Sequence, residues 1–468
     1  MPSEKAAESA CKFLGYDFRG DPGQWQCRKR ITQADVPRTD DGLRILAANG
    51  SWSEVISLAT KLEETAVKNA RFCVMQSNEG ALVQPATHTA ELVARLPYIL
   101  AQMSSYFKMQ RVEKAKELLD ALGDIEGDAF LDPITRENLA PFSLRFLSSL
   151  IPFYMSNPME TLKRLYKLLD EHENYGPDSF SSLSRNVRRK YEQRVKRIQR
   201  ALIHVYYSTG KFELAIRTFQ KMIEWEEDVE NMIAKTKCWS QSKRIRNVLQ
   251  LQQFACLCLH CGDTVISGKA FNIIAMISSG SPSSSFPSNN SGRINNEDAN
   301  DESISEASLY SHIINMNEGF KLIVSGKFSE AAVCFRSIAH RLSSNIKGCS
   351  HQASLDPNVG NRLMIDVLSD TVLQQLKSNA QTSHCTSLLY CSHEDKASEA
   401  FMTEIRDTLE HYLREDPSLL TQSDAFLSDL VRVYALCGER KEKLEQLAGL
   451  LEVFRCDAAS LPNLEKMV

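Results

Sequence analysis

Long apolar runs are missing from this chain of 468 residues: no stretch approaches the roughly 18 that a membrane-spanning helix needs. The first residues, Met-Pro-Ser-Glu-Lys-Ala-Ala-Glu, lack the apolar core of a signal peptide, and the last four, from Glu465, contain no cysteine to prenylate. A cytosolic chain is expected, with any membrane contact borrowed from a partner. An excess of basic charge is also missing. Lys and Arg total 55 against 59 Asp and Glu, a formal net charge of -4, so nothing general drives binding to nucleic acid phosphates. The 13 cysteines are scattered rather than packed into a short framework, and an odd number cannot pair fully within one chain. They read as reduced thiols.

Catalytic signatures are absent too. The nearest approach to a phosphate-binding loop is Gly262 to Gly268-Lys269-Ala270, whose spacer is one residue too long and whose last position has no hydroxyl. No Gly-x-Ser-x-Gly elbow, His-Glu-x-x-His helix or paired-carboxylate signature accompanies the 10 histidines. Cys256, Cys258, His260 and Cys261 contain ligands for zinc but fall on one helical pattern, where residues project about 100° apart and cannot converge on a tetrahedral ion. His384, Cys385, Cys391 and His393 have the spacing a metal-binding loop would need, without a second knuckle motif. Neither an enzyme, a cofactor nor a metal is expected.

What the chain does contain is helical periodicity. Hydrophobic residues are 43% and charged residues 24%, the balance of a globular protein. Residues 1–42 are polar and broken by Pro22, Gly23, Pro37 and Gly42, which suits an N-terminal leader. Over 43–277 apolar residues recur at three- and four-residue spacing, and strand-type alternation is nearly absent. Residues 278–308 are rich in Ser and Asn and poor in apolar side chains, as in a disordered loop or linker. The helical pattern resumes over 309–455, with soft stretches at Cys349 to Asn361 and Ser378 to Lys396, before a tail at 456–468.

Within those patterns, short turns repeat. Gly50-Ser51-Trp52 precedes Val55 and Leu62; Gly210-Lys211-Phe212 precedes Ala215 and Phe219; Gly326-Lys327-Phe328 precedes Ala331 and Phe335. Weaker copies are Gln110-Arg111-Val112 before Ala115 and Leu119, and Gly262-Asp263 before Ser267 and Phe271. Glycine tolerates the left-handed conformation that ends one helix, so each turn predicts a helical hairpin. The aromatic is expected in the corner and the small residue where the two helices cross, with Gly319 matching it on the preceding helix. These offsets resemble the tetratricopeptide repeat, of about 34 residues. The expected fold is all-α, a tetratricopeptide-like helical-hairpin solenoid wound as a right-handed superhelix, presenting extended surfaces to proteins.

The strongest local charge is the run Arg185, Arg188, Arg189, Lys190, Arg194, Lys196, Arg197 and Arg200 against the single acid Glu192. It reads as a face for an acidic partner or anionic lipid, or as the solvated side of a helix whose apolar side is Val187, Tyr191, Val195 and Ile198. Lys235, Lys237, Lys243, Arg244 and Arg246 would extend it if the next hairpin stacks in register.

Two neighbouring stretches are more specific. Pro141-Phe142-Ser143-Leu144-Arg145-Phe146-Leu147 and Asn157-Pro158-Met159-Glu160-Thr161-Leu162-Lys163-Arg164-Leu165 resemble the TRAPP complex subunit 12 family in residues and in spacing. Near the end, Leu409-Glu410-His411-Tyr412-Leu413-Arg414-Glu415-Asp416-Pro417, Phe426-Leu427-Ser428-Asp429-Leu430 and Tyr434-Ala435-Leu436 are similar to that family's final repeat and C-terminal helix. The likeness runs from about Leu43 to Leu451, while the extended acidic N-terminal region of longer members is absent. The resemblance implies a non-catalytic subunit of a tethering complex that promotes nucleotide exchange on a Rab-type GTPase in endoplasmic reticulum to Golgi traffic, with links to autophagy. Its partners would be the other TRAPP subunits and, through them, the GTPase and the membrane. A peptide-binding adaptor or co-chaperone that clamps acidic tails is the competing expectation.

Overall fold

Glycine at a helix end sets the plan of the molecule. A computed structural model describes residues 13, 31–77, 84–132, 137–173, 185–226, 228–237, 241–279, 306–349, 362–394, 399–417, 419–438, 440–454 and 464. At Gly50, Gly210, Gly262 and Gly326 φ is positive, between 72° and 83°. Each glycine N–H donates three residues back, and the following N–H donates five residues back, as in Lys327 to the Leu322 carbonyl at 2.9 Å. This double bond closes the helix and turns the chain into the next one. Gln110, Ser156 and Glu224 build the same cap at φ 58°, 61° and 54° without glycine. The copies at Ser156 and Glu224 carry no glycine signal and escape a search that uses glycine as its anchor.

The helices are α1 (Asp40–Asn49), α2 (Trp52–Ser77), α3 (Gln84–Lys108), α4 (Val112–Leu122), α5 (Phe142–Tyr154), α6 (Pro158–Glu173), α7 (Arg185–Ser208), α8 (Phe212–Ile223) and α9 (Val229–Lys237). Then come α10 (Gln241–His260), α11 (Thr264–Ser279), α12 (Glu306–Val324), α13 (Phe328–Cys349), α14 (Arg362–Glu394), α15 (Glu399–Glu415), α16 (Leu419–Gln422), α17 (Asp424–Leu436) and α18 (Arg440–Phe454). The fold is all-α, built of helical hairpins, and no strand occurs among the described residues. The chain forms two compact units, residues 1–218 with 445–463 and residues 219–444 with 464–468. The division falls inside α8 rather than at the Ser/Asn-rich segment, of which 280–305 lie outside the described residues.

In the first unit α2 packs along α3, α5 along α6, and α6 along α7. Leu96, Ile99, Met103, Ala115 and Leu144 are buried at the centre of one core cluster, and Leu46, Val55 and Leu58 of another. In the second unit α10 pairs with α11, α12 with α13, and α14 packs along both α13 and α15. Five residues beyond five of these seven caps stands a fully enclosed small side chain, Ala115, Thr161, Ala215, Ser267 or Ala331; beyond Gly50 and Glu224 the position is Val55 and Val229. The close approach marked by Gly319 is to Phe335, four residues beyond Ala331, where a Cβ would lie 2.5 Å from the ring.

Several expectations need correction. Helix begins at Asp40, because Asp40 and Asp41 sit favourably in its first turn. The enclosed residue nine beyond Gly50 is Ala59, whereas Leu62 is only half-buried. The corner aromatics differ in burial: Trp52 packs against a core cluster, Phe212 is 42% exposed and leans on Tyr207, and Phe328 stacks on Tyr390 of α14 with ring centroids 5.1 Å apart. The soft stretch from Ser378 is helical to Glu394; its buried face is made of small and polar residues, Ala380, Gln381, His384, Cys385 and Ser387, which break the apolar rhythm. The stretch from 350 to 361 lies outside the described residues.

Candidate functional site: a basic helix bedded on aromatic rings

Pro141 precedes α5 and Asn157 precedes α6, and both start their helices for local reasons. The Asn157 side chain accepts the Glu160 N–H at 3.2 Å, and Pro158 follows in the first helical position, where no amide donor is lost. Arg145 then keys the hairpin. Its guanidinium donates to both carboxylate oxygens of Glu126 at 2.6 Å and to Glu171 of α6, also at 2.6 Å. Lys167 reaches Glu126 at 3.3 Å. Burial opposes the charge on Arg145, but the hydrogen bonds to the two carboxylates outweigh it and raise its pKa. Asn138 holds the segment beneath, donating to the Ile125 carbonyl at 2.8 Å.

The basic run lies on α7, against this hairpin. Arg194 sits over the rings of Phe142 (5.1 Å) and Tyr191 (5.3 Å), and Arg197 over Phe146 at 4.5 Å. These are cation–π contacts that seat the helix. His172 closes the bed, edge-on to Phe142 with its Nδ1 against the Leu168 carbonyl at 2.8 Å, and burial pushes its pKa down, with Arg194 and Arg145 adding to the effect. Arg188 pairs with Glu192 at 3.1 Å. Of the run, Arg189, Lys196 and Arg200 have no ion pair among the described residues and share one face of α7, seven and four residues apart. The side chain of Arg185 lies outside the described residues. So the run is neither wholly a free basic face nor wholly a solvated one: aromatic rings hold Arg194 half-buried, and Arg197 lies over a ring while staying exposed. On the side of α7 away from Arg189, Lys196 and Arg200, Ile198, Leu202 and Val205 are buried.

No family model and no curated protein matches the chain.

Beside the free cations runs an exposed apolar and aromatic strip that periodicity did not single out, since its members stand at ordinary core spacing. Met159 is 62% exposed, and Tyr166, Tyr207 and Phe212 are exposed next to it in the series α6, α7, α8. Lys211 Nζ lies 3.7 Å from Met159 Sδ, and Tyr166 and Tyr206 share a hydroxyl hydrogen bond of 2.6 Å. Exposed apolar side chains gathered on successive helices in this way are candidates for a contact site.

The other candidates resolve as packing. Cys256, Cys258 and His260 lie on α10 and Cys261 in the turn after it. Burial pushes the Cys256 and Cys258 thiols up to about 12, which keeps them protonated. Cys385 is fully buried on α14, and Cys391 lies on the same helix rather than on a loop; the His393 side chain lies outside the described residues. Among the described residues no three His, Cys, Asp or Glu side chains converge as a metal site. In the second basic group, Lys235 is taken by Glu224 at 3.0 Å and Glu226 at 3.2 Å. No helix among the described residues is long and apolar enough to cross a membrane.

The C-terminal stretches that carry the resemblance are polar cross-ties. Glu410 of α15 is buried and accepts from Tyr434 (3.3 Å), Lys443 (2.8 Å) and Arg414 (2.7 Å). Asp429 accepts from Thr386 at 2.7 Å, and Asp416 from Lys377 at 3.3 Å.

Proposed function

We propose that this chain is a non-catalytic scaffold subunit of a TRAPP-type tethering complex, joining a guanine-nucleotide-exchange core for a Rab-type GTPase to larger subunits in endoplasmic reticulum to Golgi traffic and autophagy. It works at the cytoplasmic surface of those membranes through the complex, and its hairpins wind with the right-handed superhelix of tetratricopeptide arrays. One observation carries the reading. The two stretches that most resemble the family form a single hairpin, keyed by Arg145 to Glu126 and Glu171, whose second helix exposes Met159, while Tyr207 and Phe212 are exposed on the two helices that follow. A scaffold needs rigid hairpins bearing apolar surface that a monomer does not bury.

Purification of the tagged full chain from native lysate at near-physiological salt tests this. Stoichiometric recovery of small exchange-core subunits with large tethering subunits is expected, and Met159→Asp with Phe212→Asp should reduce it at least fivefold. Recovery of chaperones alone, or recovery indifferent to the double substitution, would overturn the reading. The clamp for acidic tails is disfavoured by Arg194, whose stacking on Phe142 and Tyr191 in a half-buried position takes one cation from the face it needs.

A further inference from the structure

The second unit contains a groove of about 700 Å³ that the scaffold reading does not use. Helix α14 forms its floor, with α13 on one side and α15 on the other. Its volume lies within the roughly 300–1,000 Å³ of ligand pockets, yet its shape is long. The lining residues on α15 run from Ala400 to Glu415, which at about 1.5 Å per residue is roughly 22 Å. That length suits six or seven residues of extended chain at about 3.3 Å each.

The walls carry opposite charge. The cation Arg336 projects from α13, with the His340 imidazole one turn along, and the carboxylates of Glu404, Asp407 and Glu415 project from α15. Asp407 is held by its neighbour Arg406 at 2.8 Å, and Glu415 lies 3.8 Å from His411. Arg336 and Glu404 have no ion pair among the described residues, so two opposite charges face one groove without meeting. At the floor, His384 Nδ1 and the Tyr412 hydroxyl are hydrogen-bonded at 2.9 Å. Burial, with Arg336 nearby, pushes His384 down to about 4, so the floor is neutral while the rims are charged. Leu388 is the one aliphatic lining side chain larger than alanine among the described residues. A greasy helix therefore has little to bind, whereas main-chain amides and charged side chains do.

Spacing narrows the occupant further. Arg336 and His340 are one helical turn apart, about 6 Å, as are Glu404 and Thr408 or Asp407 and His411. Residues i and i+2 of a strand lie about 6.6 Å apart on the same face, and i+1 faces the opposite way. We infer that this groove binds an extended segment of a partner protein in which acidic and basic side chains alternate, the acids toward the Arg336 wall and the bases toward the Glu404 wall. The inference does not depend on the tethering-complex reading.

The test uses the purified full chain and fluorescein-labelled peptides followed by anisotropy at 50 and 150 mM salt. The probe Ser-Gly-Glu-Lys-Glu-Lys-Gly-Ser is compared with the composition-matched Ser-Gly-Glu-Glu-Lys-Lys-Gly-Ser and with versions carrying Glu or Lys alone. The alternating probe should bind at least tenfold tighter than the block probe. Arg336→Glu and Glu404→Lys, both at exposed positions, should each weaken it at least tenfold, and His340→Ala about threefold, with helical content unchanged. Four outcomes would overturn the inference: no binding of the alternating probe up to 1 mM, equal binding of the two mixed probes, insensitivity to all three variants, or tight binding of the Glu-only probe lost in Arg336→Glu alone. The last would mark an anion subsite instead.

Discussion

Arg145 shows how one side chain organises a hairpin. It is nearly buried, yet three charge-assisted hydrogen bonds of 2.6 Å join it to Glu126 and Glu171. Breaking a fully buried ion pair costs about 3–5 kcal/mol, but the two carboxylates keep 31% and 36% exposure, so Arg145→Ala should cost about 2 kcal/mol. Arg145→Lys should recover less than half of that in urea titrations, because one ammonium cannot reproduce a planar fork. An Arg145→Lys variant as stable as the parent would show that charge, rather than geometry, holds the hairpin. Thr161 and Ser267 illustrate the opposite case: their buried hydroxyls have no hydrogen-bond partner among the described residues, at the position where other hairpins use Ala115, Ala215 and Ala331. Helix crossing there selects for size, and the hydroxyl is tolerated rather than used.

At the scale of the element, the cap is the repeating device, and the residue in it decides its cost. A non-glycine residue in the left-handed region pays about 1–2 kcal/mol, part of which glycine returns through its greater freedom in the unfolded chain. Ser156→Gly and Glu224→Gly should therefore stabilise by about 0.5–1 kcal/mol, and Gly326→Ala should destabilise by about 1 kcal/mol. Thermal denaturation of the three variants checks both signs together; a loss of stability in Ser156→Gly would mean that the serine makes contacts worth more than the strain. The same contrast explains which hairpins were legible. Gly50, Gly210, Gly262 and Gly326 mark their turns in the sequence, whereas Ser156 and Glu224 look like ordinary helix residues. On α14, the buried Gln381, His384 and Ser387 break the apolar rhythm that identifies a helix, so a genuine element reads as a soft stretch.

For the whole molecule, burial of imidazoles predicts acid sensitivity. His172 in the first unit and His312 and His384 in the second are all held below the usual histidine range by burial. A histidine with a lowered folded pKa contributes stability above its unfolded value of about 6.5 that is lost as pH falls through the folded value, about 4 for His384. Asp429 acts in the opposite sense: burial raises its pKa, so its favourable share is present at low pH and lost as pH rises through that value. The melting temperature should fall between pH 6.5 and 4.5, and His384→Gln should flatten that slope. An unchanged slope would place the acid response elsewhere.

Periodicity and turn chemistry are properties of consecutive residues, and the sequence by itself determined the all-α class, the helical hairpins, four of the glycine caps and the helix ends near 277 and 309. Which side chains meet across helices is a property of distant residues, and only the tertiary structure decided it. It bedded Arg194 and Arg197 on Phe142 and Phe146, left Met159 and Phe212 outside, and divided the chain within α8 rather than at its most polar segment. It also set Arg336 and Glu404 on facing walls, 68 residues apart in the chain, because α13 and α15 pack on the same floor helix and no local pattern records that neighbourhood.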